Sequence, residues 1–343
     1  MELEDLMEES IKIMQDDFYS KKFYFSYSSL NKLLWSPAVF HSMYILGIKE
    51  ERTDAHLVQG KIVHALLLEE EKFKDNFIVS PGKLPGDGVK AVIDRVFAHH
   101  VELSQNGDLR TKLEEFDQAI LDIMKDMNYF QALKTDQQRL DKIISTETTN
   151  YWDFLKTKGN KTLIDQETFD FCKSAVELVK TNKSICKLIG CNKTEFDNID
   201  VKNELFLQTE PGEKPFGIKG VIDNLVINHD EKIIYINDIK TTSKELKDFP
   251  ETIEFYSYWL QAIIYCSLVA NEYKDQIELG GYEFKFNFIV IDKMFQTYAF
   301  PVSDATLASW LMRMREAMNK AEWHYVNKSY DLPYDFATGS VTL

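Results

Sequence analysis

The sequence predicts a mixed α/β fold: helices fill roughly the first half, and a central sheet flanked by helices is built from the second. Three observations carry this expectation. Residues 89–158 and 165–188 are charged, poor in Pro and Gly, and apolar at helical spacing. Three short runs rich in β-branched and aromatic residues, 204–207, 220–227 and 233–240, then follow in close succession. Helical patterns come back at 258–265 and 304–327.

Residues 1–22 are acidic and helix-compatible and read as a peripheral arm, leaving 23–343 as one domain. Serines ahead of Leu30, Leu33 and Leu34 predict a capped helix, with Ser28 and Ser29 as its caps and a break near Pro37. Residues 58–69, apolar on more than one side, predict a buried helix that carries His64. Turn residues crowd 80–88, and the helical stretch over about 81–158 reads as an insertion. Leu163-Ile164-Asp165 reads as the start of the next helix. In the strand block Asn228-His229-Asp230-Glu231 supplies a turn, so that 220–227 and 233–240 form a hairpin. A helix at 258–265, a strand at 286–291 and a last helix over 304–327 complete the order.

Composition narrows the function. With 343 residues, 44% hydrophobic and 13% aromatic, the chain builds a sizeable core and is not disordered as a whole. Its 40 Lys+Arg against 55 Asp+Glu give a net charge of −15, the wrong sign for a protein that coats nucleic acid nonspecifically. Any DNA contact must be local, through a few basic residues such as Lys219, Lys244 and Lys247. Cys172, Cys186, Cys191 and Cys266 show no metal-binding spacing and read as buried thiols. Without a basic-then-apolar leader or a long apolar run, the expectation is a soluble protein of the cytoplasm with no membrane contact.

The chemistry concentrates on the hairpin. Asp223 interrupts an apolar strand, Asp238 lies on the adjacent strand, and strand periodicity puts Lys240 on the same face as Asp238. If the strands pair, both carboxylates converge on one hard cation, and Lys240 orients the attacking water or stabilises developing phosphate charge. The bland alternative is a strand-end aspartate beside an exposed Asp238–Lys240 ion pair, which would be worth little. His64 alone reads as a boundary histidine, Glu204 as a solvated strand residue, and Gln261 and Tyr265 as packing residues one helical turn apart.

Taken together, the Gly60-x-x-x-His64 helix, Glu204, Gly220-Val221-Ile222-Asp223, Asp238-Ile239-Lys240 and Gln261-x-x-x-Tyr265 resemble the PD-(D/E)xK nuclease superfamily, in its order. The resemblance implies that fold, with His64, Asp223, Asp238 and the Ile239 carbonyl as metal ligands. It makes Asp223, Asp238 and Lys240 catalytic, with Glu204, Gln261 and Tyr265 supporting the site or the DNA strand. It also implies Mg2+, with Mn2+ as substitute. Asp238 stands where Glu is more common, which keeps an oxygen ligand. The cysteine pattern of iron-sulfur members is missing, and no phosphate loop for ATP is present, so neither cofactor is expected.

Within the superfamily the sequence is similar to the RecB/RecE-like branch, and most to phage-type RecE exonucleases. Ser28-Ser29-Leu30, Ser36-Pro37, the helix 59–69, Gly159 to Asp165 and the aromatic stretch 323–336 carry that likeness. It implies digestion of linear double-stranded DNA from a free end in recombination, a homo-oligomer and a single-strand annealing partner. Backbone amides at the helix start behind Ser28 and Ser29 could receive a phosphate. A structure-specific or endonucleolytic enzyme, or a non-catalytic DNA-binding protein of the same fold, remain the alternatives.

Overall fold

Between Ile199 and Val302 the β-branched and aromatic runs assemble into a mixed sheet, seen in a computed structural model that describes residues 3–48, 55–159, 161–194, 197–210 and 212–341. Asn160 of the 159–165 motif lies outside the described residues. The first half runs α1 (Leu3–Ser20), β1 (Tyr24–Phe25), α2 (Tyr27–Trp35), α3 (Pro37–Phe40), α4 (Ala55–Leu68), α5 (Phe73–Asn76) and β2 (Phe77–Val79). Then come α6 (Asp87–Gln105), α7 (Asp117–Asp126), α8 (Asp136–Ile143), α9 (Thr146–Lys158), β3 (Thr162–Ile164), α10 (Gln166–Thr181) and α11 (Lys183–Ile189). The second half holds β4 (Ile199–Thr209), β5 (Gly217–Asn228), β6 (Ile233–Thr241), α12 (Phe249–Phe255), α13 (Tyr258–Glu272) and α14 (Lys274–Glu278). It ends with β7 (Glu283–Ile291), β8 (Thr297–Val302), α15 (Asp304–Asn327) and α16 (Tyr334–Ala337).

Two compact units result, Met1–Glu69 with Ala175–Leu343, and Glu70–Ser174. In the first, β4 runs antiparallel along β5 from Ile199↔Asn228 to Thr209↔Ile218. β6 pairs antiparallel with β5 only from Asn228↔Ile233 to Asn224↔Asn237, while its other edge runs parallel to β7 from Ile233↔Glu283 to Thr241↔Ile291, and β7 pairs antiparallel with β8. β1 adds parallel pairs at Tyr24↔Gly217 and Phe25↔Ile218. Because β4 occupies one edge of β5 throughout, β6 and β1 must share the other. Between them, among the described residues, 219–223 of β5 have no strand partner on that edge, and the sheet forks.

The sequence explains why this sheet is covered. Residues 222–227 of β5 are all buried, as expected of a strand packed on both faces rather than one. Phe25, Phe216, Phe286 and Phe288 pack with Leu260 and Ile264 of α13 and with Trp310 and Met314 of α15. Each such side chain contributes about 1.5–3 kcal/mol of burial. Phe18 and Tyr19 of α1 join this core partly buried, and the Tyr19 and Tyr330 hydroxyls share a hydrogen bond of 2.6 Å. In the second unit Val92, Ile93 and Val96 of α6, Ile120 and Met124 of α7 and Tyr151 and Trp152 of α9 form a separate core, and β2 pairs with β3. The stretch 81–158 lies inside that unit.

Some expected details differ. The cap of α2 is Ser26, not Ser28; Ser29 is buried and closes a capping box with it, while Ser28 is exposed. Residues 162–164 form β3 rather than the start of α10, and Asp165 caps that helix by accepting the Thr168 amide at 2.6 Å. The expected helix 165–188 is two helices, interrupted where Asn182 caps α11. β1, β2 and β3 have two or three residues each, too few for a periodicity, and β8 contains Pro301, which suits only an edge strand. Cys172, Cys186 and Cys266 are buried and Cys191 partly so. No helix among the described residues is long and apolar enough to cross a membrane.

Candidate active site

The fork between β5 and β6 gathers the charged residues singled out from the sequence. The last ladder pair is Asn224↔Asn237, so Asp223 and Asp238 face each other one step into the opening. There the diverging β5 backbone no longer offers acceptors to β6. The Asp223 carboxylate substitutes, accepting the Ile239 amide at 2.8 Å through Oδ2. Asp223 is 7% exposed and Asp238 fully buried.

His64 reaches this point from α4. A Cβ on Gly60, one turn earlier, would lie 3.1 Å from the Thr241 hydroxyl, so glycine lets the helix approach the end of β6. The His64 ring places Nε2 2.8 Å from the Ile239 carbonyl and 3.8 Å from Asp223 Oδ2, with Nδ1 3.5 Å from Glu204 Oε1. Glu204 sits opposite Asp223 in the β4–β5 register but makes no ladder pair, and its φ of 47° is left-handed. A non-glycine residue there costs about 1–2 kcal/mol, and such outliers cluster at functional sites. Ligand atoms of His64, Glu204 and Asp223 all lie within 4.8 Å of one another.

Asp238 is not part of that triad. Its Oδ2 contacts Lys240 Nζ at 2.6 Å, and its buried Oδ1 has no hydrogen-bond partner among the described residues. The pair is therefore a buried one, not the exposed ion pair weighed from sequence. Lys240 Nζ also lies 4.9 Å from the Tyr258 ring centroid, a cation–π contact. On α13, Gln261 Nε2 donates to the Tyr265 hydroxyl at 2.8 Å, both side chains being buried, and Gln261 Oε1 lacks a partner among the described residues. A Cβ on Gly220 would come within 2.9 Å of the Tyr265 ring, so the glycine beside Asp223 admits this tyrosine.

The packing shifts the titrations. Burial pushes the Asp238 carboxyl up to about 6, although Lys240 opposes it. Burial would lower the His64 imidazole, but Asp223 and Glu204 outweigh it and raise the group to about 9. Burial likewise opposes the Lys240 ammonium, yet Asp238 and Asp223 hold it above the usual lysine value. The Tyr265 hydroxyl is raised by burial and by Asp223 and Asp238, so it stays protonated and can donate.

This donor set fits a hard divalent cation. It offers carboxylates, a backbone carbonyl and one imidazole, without a thiolate. A buried carboxylate oxygen without a partner is costly, and Asp238 Oδ1 is such an atom beside the triad. His64, Glu204 and Asp223 could hold a cation with the Ile239 carbonyl, and Asp238 could add its free oxygen.

Two aromatic neighbours escaped the sequence reading. Tyr258 lies under Lys240, and Tyr27 of α2 is close enough to Asp238 for the carboxylate, after burial and Tyr258, to help raise its hydroxyl. Tyr258 was within reach, since 258, 261 and 265 share one helical face. Among the lysines proposed for DNA, Lys247 pairs with Glu245 at 2.7 Å and Lys244 lies 5.8 Å from the exposed Phe255 ring, while Lys219 is partly buried on β5.

No curated protein matches the sequence. Among solved structures, a candidate exonuclease from Eubacterium rectale is similar with a TM-score of 0.47 and 12% identity, over 95% of this chain and 91% of that one. The profile of the PD-(D/E)XK nuclease superfamily matches residues 24–327. A mixed sheet flanked by helices, with the acidic residues and lysine at its fork, agrees with that match over most of the chain, and the protein belongs to the PD-(D/E)XK nuclease superfamily.

Proposed function

We propose that the protein is a divalent-metal-dependent deoxyribonuclease of the RecE-like branch that hydrolyses linear duplex DNA from an end. The observation that carries this reading is the meeting of His64, Glu204, Asp223 and the Ile239 carbonyl beside the buried Asp238–Lys240 pair. A bound Mg2+ or Mn2+ supplies Lewis-acid polarisation of the scissile phosphate. His64, Glu204 and Asp223 would hold the cation with the Ile239 carbonyl, and Asp238 would add its free oxygen. Lys240, kept charged by its carboxylate neighbours, would orient the attacking water and stabilise the developing phosphate charge. Tyr265 and Gln261 pack beside Asp223 and steady the strand. The preference for an end, the homo-oligomer and the annealing partner rest on the likeness to RecE exonucleases.

Purified protein with Mg2+ should digest linear duplex and spare closed circles. Cutting of closed circles would identify an endonuclease instead. Failure to cut either, with DNA still bound, would identify a non-catalytic binding protein.

A further inference from the structure

Four asparagines occupy one transverse row of the sheet: Asn203 pairs with Asn224, Asn224 with Asn237, and Asn237 with Asn287. Their side chains form a continuous hydrogen-bonded ladder in one direction. Asn287 Nδ2 donates to Asn237 Oδ1 at 3.0 Å, Asn237 Nδ2 to Asn224 Oδ1 at 2.8 Å, and Asn224 Nδ2 to Asn203 Oδ1 at 2.8 Å. Asn203 Nδ2 then donates to the Leu68 carbonyl at 2.7 Å, at the end of α4 and one turn beyond His64. The second amide hydrogens of Asn224 and Asn237 reach the Ile189 and Leu188 carbonyls at the end of α11, each at 3.0 Å. These two acceptors fix which way the amides point, because only the NH2 side can satisfy them.

Such a row is not needed for burial. Asn224, Asn237 and Asn287 are 1%, 0% and 5% exposed, where Val or Ile would gain more from leaving water. A polar row does what apolar residues cannot: it recognises its own register, since a strand slipped by one residue loses every rung and orphans the amides. The row is adjacent to the site on three strands. Asn203 precedes Glu204, Asn224 follows Asp223, and Asn237 precedes Asp238.

We propose that the asparagine ladder is the positioning device of the metal site, locking β4, β5 and β6 in register and tying them to the helix that carries His64. None of the four asparagines is a catalytic residue; they act through Glu204, Asp223, Asp238 and His64. The consequence for cleavage rests on the nuclease reading above, whereas that for metal binding does not.

The test compares Asn237→Leu, which removes the central rung together with the terminal one, with Asn287→Leu, which removes only the terminal one. For each, Mn2+ affinity is measured by calorimetry, folding by circular dichroism and thermal melting, and kcat and KM on linear duplex. A misplaced supporting shell weakens metal binding about ten-fold or more. The expected result is that loss for Asn237→Leu in folded protein, with kcat reduced and KM nearly unchanged, and a smaller loss in the same direction for Asn287→Leu. Wild-type Mn2+ affinity in both folded variants would overturn the proposal. If Asn237→Leu does not fold, Asn287→Leu decides: weaker Mn2+ binding at unchanged melting temperature supports the ladder, and unchanged binding overturns it. Wild-type protein that binds Mn2+ without cutting DNA would defeat the nuclease reading and leave the ladder to be judged on affinity alone.

Discussion

Replacing Lys240 by methionine keeps most of the side-chain volume but removes the ammonium that contacts Asp238 directly. The Asp238 carboxylate is fully buried, with Oδ2 2.6 Å from the ammonium and Oδ1 unpartnered, so the substitution strands a buried anion. Removing one member of such a pair costs about 3–5 kcal/mol. The acid escapes this cost by taking up a proton, which makes the effect depend on pH. In the intact metal-free protein burial already raises Asp238 to about 6, and Lys240 is the largest influence holding it down. Without Lys240 it rises further. A group whose pKa is raised on folding favours the folded state at low pH and loses that contribution as pH climbs toward the folded value. Above about pH 6 the intact protein has completed this loss, while the variant continues to lose about 1.4 kcal/mol per pH unit. The gap between them should therefore widen between about pH 6 and pH 8, by at most about 3 kcal/mol. Urea denaturation in chelator at the two pH values measures it. Adding Asp238→Asn to Lys240→Met should narrow the gap at the higher pH. A gap that is the same at both pH values, or a double variant no more stable than the single one, would refute the buried-pair argument. Cleavage should be lost in both variants.

Asp223→Asn keeps an acceptor for the Ile239 amide but replaces an anionic ligand, so Mn2+ affinity in calorimetry should fall by at least about ten-fold while the metal-free melt changes little. His64→Ala should abolish most activity. Because His64 is raised to about 9 in the metal-free protein, its contribution to stability is full below about pH 6.5 and lost as pH rises through 9, so the melting penalty of the variant should be larger at acidic than at alkaline pH. Equal penalties across that range would remove the Asp223 and Glu204 contacts as its cause. Gly220→Val drives a branched side chain into the Tyr265 ring and should destabilise the fold by about 1–3 kcal/mol, read by chemical denaturation. Calcium should support DNA binding without turnover, with a modest salt slope in fluorescence anisotropy; equal binding in excess chelator would show that no cation screens the carboxylates.

The strand block was legible because its signals are local. Asn228 to Glu231 is rich in turn residues, the flanking runs are β-branched, and the helix expected over 304–327 occupies those residues. Asp223 and Asp238 could be paired on paper once a hairpin was assumed. What stayed hidden depends on geometry between strands. That Glu204 joins His64 and Asp223 more closely than Asp238 does follows from its left-handed backbone, which no residue type announces. The asparagine row requires the register of four strands, the last of which is separated from the others by three helices. Ser26 lost its role as cap to its neighbours on paper because three serines in five residues make equally good candidates.

The order in which the site residues occur along the chain bears on how the protein folds. His64 precedes the whole of the Glu70–Ser174 unit, whereas β4, β5 and β6 follow it. The entropy of closing so long an intervening segment is modest, since each doubling of length adds only about 0.6 kcal/mol. The kinetic consequence is larger: contacts this distant in sequence form late. Competence to hold a metal in the full shell thus draws on residues from both sides of the Glu70–Ser174 segment and is a property of the completed fold.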